Sequence, residues 1–159
     1  MKPRRVLIDT DILSYQLAHH PKVGKKVERY VKRHGEVSIS VITAFEYMRG
    51  LLELKNYNPK KAQEKIEAYR AFLKRAEVLP ITEQVAEKAA ELFEDLRQRG
   101  EPVGVPDVLI AATAFVNGWH RDEQRKALRA NYLLASRKLG GLTTIFLTCP
   151  SPKLDFTLK

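Results

Sequence analysis

The alternation of short apolar runs with longer helical stretches most narrows what this chain can fold into. "VLI" (6–8), "VSIS" (37–40), "EVLPI" (77–81) and "TTIFLT" (143–148) are brief and rich in β-branched residues, as buried strands are. The segments between them carry helical signatures. Residues 12–18 form a helical stretch closed by "HHP". Residues 22–34 are amphipathic, and 41–54, "VITAFEYMRGLLEL", are apolar nearly all round. Asn58-Pro59 is an N-cap followed by proline at the first helical position; that helix runs to about Lys74 with Ala62, Ile66, Tyr69 and Leu73 inward. Thr82 caps a helix reaching Arg99 and stopped by Gly100. "GVPDVLIAATAFV" (104–116) is a turn leading into a very apolar helix. A further helix is expected at about 120–139, with Leu128, Tyr132, Ala135 and Leu139 on one face. Parallel strands need crossover helices, so the pattern predicts an α/β fold, a three-layer α/β/α sandwich around a short parallel sheet.

With 159 residues and no internal repeat or Pro/Gly-rich linker, one domain spanning 1–159 is expected. Cys149 is the only cysteine, which leaves no internal disulfide and no cysteine-rich zinc cluster. No apolar run has the length of a membrane span, and the basic start "MKPRR" is not followed by a signal-type core. A cytoplasmic protein with no membrane attachment is the expectation. The net charge is +9, which favours polyanionic partners such as RNA without locating a site.

Three acids, Asp9, Glu46 and Asp107, stand in or next to apolar runs, and a fourth, Asp11, lies beside the first. Asp9 ends the first strand and Asp11 follows two positions on. Glu46 lies inside "VITAFEYM", and Asp107 enters the "VLIAATA" helix. In sheets of this type ligands gather beyond the carboxyl ends of the strands, where Asp9 is expected. Each acid also has a purely structural explanation. Asp9 can cap the helix beginning near Ile12, Arg49 can pair with Glu46, and Asp107 at a helix start is favoured by the helix dipole. All three around one sheet edge are better explained together: converging carboxylates repel one another unless a cation sits among them, and hard oxygen ligands suit Mg²⁺ or Mn²⁺.

On the helix at 22–34, Lys22, Lys25, Lys26, Arg29, Lys32 and Arg33 share one side and Val23, Val27, Tyr30 and Val31 the other. The basic side is a candidate RNA-binding face or an ordinary solvated one. His19 and His20 read as surface residues or phosphate contacts rather than metal ligands. There is no Gly-x-Ser-x-Gly turn, and Cys149 has no identifiable histidine partner, so nucleophilic serine or cysteine chemistry has no support.

The order "LIDTDIL", "SISVITAFEYMRG", "GVPDVLIAATA" resembles the PIN domain, and more narrowly the VapC toxins of bacterial and archaeal toxin–antitoxin pairs, over about residues 5–118. The resemblance implies Asp9, Glu46 and Asp107 as acidic metal ligands and catalytic residues. Asp11 stands where the family usually has Asn and ranks after them, and Thr10 between the two aspartates is placed to bond a ligand or water. It also implies a PIN-like fold, metal-dependent RNA cleavage with Mg²⁺ or Mn²⁺, a homodimer and a cognate VapB-like antitoxin. The C-terminal part departs from the family pattern. An inserted helix at 120–139 would make Asp155 the late acid, a second alignment favours Asp122, and a third leaves the late acid missing. Two other functions compete with the ribonuclease. A PIN fold with a degraded site would be a non-catalytic module that binds RNA or protein. "IDTDIL" also resembles the Asp-x-Asp opening of haloacid-dehalogenase phosphatases, with Asp9 as nucleophile and Asp11 as general acid, but the chain lacks that class's later paired-acid motif.

Overall fold

The computed structural model describes residues 7–101, 103–118 and 146–147. Strands β1 (Leu7–Ile8), β2 (Ser38–Ser40), β3 (Glu77–Leu79) and β4 (Phe146–Leu147) make one sheet in the order β3-β2-β1-β4. The first three are parallel, with Ile8 opposite Ile39 and Ile39 opposite Val78. β4 pairs with β1 in the antiparallel sense, Ile8 opposite Phe146. Helices α1 (Thr10–Leu17) and α2 (Pro21–His34) carry the chain from β1 to β2. Helices α3 (Val41–Tyr57) and α4 (Pro59–Leu73) carry it from β2 to β3. α5 (Glu83–Gln98) and α6 (Val105–Val116) follow. These are the crossovers that parallel pairing demands.

The pleat sorts the layers. Ile8 and Ile39 pack against Ile12 and Leu13 of α1, Val27 of α2, Tyr47 and Leu51 of α3 and Ile66 and Tyr69 of α4. Leu7 and Leu79 pack with Ile110 and Ala114 of α6. α6 turns its other side to α5, where Val108 and Ala112 meet Val85, Ala89 and Leu96. Ile12 and Leu13 are essentially inaccessible, and each contributes about 1.5–3 kcal/mol by leaving water. Those two side chains fix α1 on the sheet, and with it the residues just before them.

Four side chains cap helix starts. Asp9 Oδ1 accepts from the Ile12 amide at 2.8 Å, Ser40 Oγ from Ile42 at 3.2 Å, Asn58 Oδ1 from Lys61 at 3.0 Å and Thr82 Oγ1 from Val85 at 3.3 Å. Two expectations change. α1 begins at Thr10, not near Ile12, because the Asp9 cap lets the helix start directly off the strand; Thr10 and Asp11 therefore lie in its first turn. α3 is not buried all round. Tyr47 faces the core, whereas Val41, Phe45 and Leu52 are 40%, 63% and 52% exposed, so Phe45 does not shield its neighbour Glu46 from water. The expected helix at 120–139, Asp122, Cys149 and Asp155 lie outside the described residues. Among the described residues no helix is long and apolar enough to cross a membrane.

Candidate functional site

Two adjacent parallel strands end by feeding helices without an intervening loop. β1 stops at Ile8 and Asp9 caps α1; β2 stops at Ser40, which caps α3. Since Ile8 is paired with Ile39, the two capping residues leave the sheet at the same level. Asp9 is buried, at 4% exposure. Burying a carboxylate is costly unless hydrogen bonds hold it, and the Ile12 amide supplies one.

Glu46 comes from the second turn of α3 and is half-buried. Thr10 Oγ1 donates to Glu46 Oε2 at 2.6 Å, joining residues 36 positions apart in the chain. That short bond to an ionised acceptor is of the strong class. It stands in place of the ion pair that Arg49 could have made; Arg49 lies on the exposed side of α3. It also gives Thr10 a partner on the protein, where a contact to a ligand or water was expected.

Asp107 is the third residue of α6 and half-buried. Burial raises its carboxyl above the ordinary aspartate range, and the negative charges of Glu46 and Asp11 raise it further. Acids from α1, α3 and α6 thus lie within one another's fields, although they are separated by as much as 96 positions of chain (107 − 11 = 96). The helix dipole should favour a charge at this position by about 0.3–1 kcal/mol. Burial and the like charges of Glu46 and Asp11 act against that preference.

Behind these acids lie buried hydroxyls that sequence reasoning passed over. Ser40, Thr43 and Thr113 are inaccessible to solvent. Thr113 Oγ1 donates to the Leu109 carbonyl at 2.7 Å and stands 3.5 Å from Ser40 Oγ, while Thr43 Oγ1 has no partner among the described residues. The signal was present as small polar residues within otherwise apolar runs, "SVIT" and "AATA".

The charged donors at this edge are carboxylate oxygens, the chemistry of a hard divalent cation, and the repulsion among Asp107, Glu46 and Asp11 is what such a cation would relieve. In this respect the residues fit a metal. Among the described residues, however, no three acidic, histidine or cysteine side chains stand close enough together to grip an ion ready-made.

On α2, Lys25, Arg29 and Lys32 are exposed. Lys32 Nζ lies 2.9 Å from Glu28, one turn away. The side chains of Lys22, Lys26 and Arg33 are outside the described set. His19 and His20 are exposed, and the His20 ring stands edge-on to Tyr15 with centroids 5.1 Å apart.

Residues 6–130 match the model of the PIN domain family. The ribonuclease VapC10 of Mycobacterium tuberculosis is 30% identical over 125 residues, covering 72% of this chain and 84% of that protein. The ribonuclease VapC1 of Haemophilus influenzae is 26% identical over 109 residues, covering 69% and 78%. Among solved structures, VapBC2 of Rickettsia felis, crystallised with a DNA fragment from its promoter, superposes with a TM-score of 0.62 at 23% identity, over 76% of this chain and 90% of that one. With three parallel strands between helices and the three motifs in their order, the chain belongs to the PIN domain family and is a distant homologue of the VapC ribonucleases.

Proposed function

We propose that the protein is a metal-dependent endoribonuclease, the toxin of a type II toxin–antitoxin pair, hydrolysing RNA phosphodiesters with Mg²⁺ or Mn²⁺. The observation that carries this reading is the Thr10–Glu46 bond, which brings Glu46 to the start of α1, next to Asp9 and Asp11 at the end of the parallel sheet, in a chain that matches the PIN domain. Asp9, Glu46 and Asp107 would offer oxygens to the ion. When bound, the ion supplies positive charge against the phosphate and lowers the pKa of a water. Thr10 holds the Glu46 carboxylate in one orientation, and Asp11 adds negative charge from the first turn of α1. The exposed cations of α2, Lys25, Arg29 and Lys32, with Lys22, Lys26 and Arg33 on the same helix, would follow the RNA backbone. The partners are RNA, a VapB-like antitoxin and a second copy of the chain, in the cytoplasm. The solved relatives that support the antitoxin include a toxin–antitoxin complex from Klebsiella pneumoniae.

Asp9→Asn is the test. The amide oxygen can still accept from Ile12, so the α1 cap survives while the charge is lost. RNA cleavage with Mn²⁺ should fall about a thousandfold, equivalent to about 4 kcal/mol; undiminished cleavage by a folded Asp9→Asn protein would remove this site from the reaction.

The spacing of the acids favours one other reading, a PIN-fold module that binds RNA or protein without catalysis. Calorimetric titration separates the two. Binding of Mn²⁺ to the wild type but not to Asp9→Asn supports the enzyme, and no binding at millimolar Mn²⁺ supports the module.

A further inference from the structure

Gly104 caps α6 with φ −63° and ψ 144°. That is ordinary extended backbone, open to any L residue, so the conformation does not call for glycine. Glycine is an accepted N-cap, but Ser, Asn or Asp would also satisfy a free amide of the first turn, and no side chain caps this helix. The neighbourhood supplies the reason. A Cβ at Gly104 would stand 3.3 Å from Asp107 Oδ2 and 3.7 Å from Pro106 Cδ. Gly35, Gly100 and Gly118 have positive φ and open space around the missing Cβ, and Gly50 has open space too. Among the described glycines, only Gly104 is backed by a carboxylate.

We propose that Gly104 is a positioning residue: its missing Cβ leaves the clearance in which the Asp107 carboxylate lies against the start of α6. Any side chain there would push that carboxylate by a few tenths of an ångström. A shift of that size uses up much of the about 0.5 Å within which the ligands of such a site must be held. The consequence for metal binding rests on the ribonuclease reading; the contact itself does not.

Two measurements test the proposal. The first is a double-mutant cycle in thermal stability, in EDTA. Gly104→Ala should lower the melting temperature when Asp107 is present. In an Asp107→Ala background the loss should be smaller, since only the poorer N-cap character of Ala remains, partly offset by the reduced freedom of the unfolded chain. Additive effects would overturn the proposal. The second is Mn²⁺ affinity. Gly104→Ala and Gly104→Ser should each weaken it about tenfold, the lower end of what is lost when a residue supporting a metal ligand is changed. Serine is the discriminating variant because it improves the cap while keeping the Cβ. A Gly104→Ser protein that binds Mn²⁺ as tightly as the wild type would overturn the proposal. If the wild type binds no Mn²⁺ and the cycle is still non-additive, the metal reading fails and the positioning role stands.

Discussion

Acids on α5 and acids at the sheet edge show opposite ways of keeping a carboxylate in a folded protein. On α5, Glu94 receives two hydrogen bonds from Arg97, at 2.8 and 2.7 Å, and Gln98 donates a third at 3.0 Å. The result is a carboxyl lowered to about 2. Glu91 pairs with Lys88, and Asp95 with Arg99. All these partners lie three or four positions away along one helix. At the sheet edge the partners are of another kind, and those of Glu46 and Asp107 come from other elements. Glu46 is met by a hydroxyl, Asp9 caps a backbone amide, and Asp107 is held above its ordinary range by burial, Glu46 and Asp11. α5 neutralises its acids locally, whereas the edge assembles negative charge that an external cation can answer.

That contrast can be broken at three points. The largest effect is expected at Thr10. Thr10→Val keeps the shape of the side chain but removes the donor to Glu46, and should weaken Mn²⁺ binding by about 10–100-fold. Thr10→Ser should restore it, as read by calorimetry. Equal affinity in Thr10→Val would mean that the bond orients nothing.

A smaller effect is expected at Asp107. Asp107→Asn removes a charge that burial and two neighbours oppose. In EDTA at neutral pH the variant should therefore be more stable than the wild type, by about 0.5 kcal/mol, since solvent screening limits the effect at a half-exposed group. Mn²⁺ should then stabilise the wild type and not the variant, by thermal unfolding. A destabilised variant would mean that the helix dipole dominates at this position after all.

The smallest effect belongs to α5. Because the folded value of Glu94 is depressed, its contribution is present above its ordinary value of 4.5 and is lost as the pH falls towards about 2. Glu94→Gln should flatten that part of the acid limb and leave Mn²⁺ affinity unchanged. Carboxyl NMR should place the Glu94 midpoint near 2; a midpoint at 4.5 would show that the Arg97 pair does not persist in solution.

Much of the architecture was readable along the chain, because each parallel strand announces itself as a short apolar run and each helix by caps such as Asn58-Pro59 and Thr82. Asp9, Glu46 and Asp107 were legible as acids in apolar company. The Thr10–Glu46 bond was not, since it depends on how α1 lies against α3 and no local pattern encodes a contact spanning 36 positions. The outward turn of Phe45 was equally hidden: in a helix apolar on most sides, periodicity does not say which side meets the core. The antiparallel sense of β4, where a parallel sheet was expected, was not readable either, because an edge strand can add to a parallel sheet in either direction. Gly104 stood in the third motif, three positions before Asp107, but its reason was not readable there, because it lies in how the Asp107 carboxylate sits against the start of α6.

The central claim is that the acids at this edge converge on a cation. A crystal soaked in Mn²⁺ and measured for anomalous scattering tests it most directly. The account expects a peak bounded by carboxylate oxygens of Asp9, Glu46 and Asp107. No peak there, or a peak held by other residues while these three point elsewhere, would contradict it.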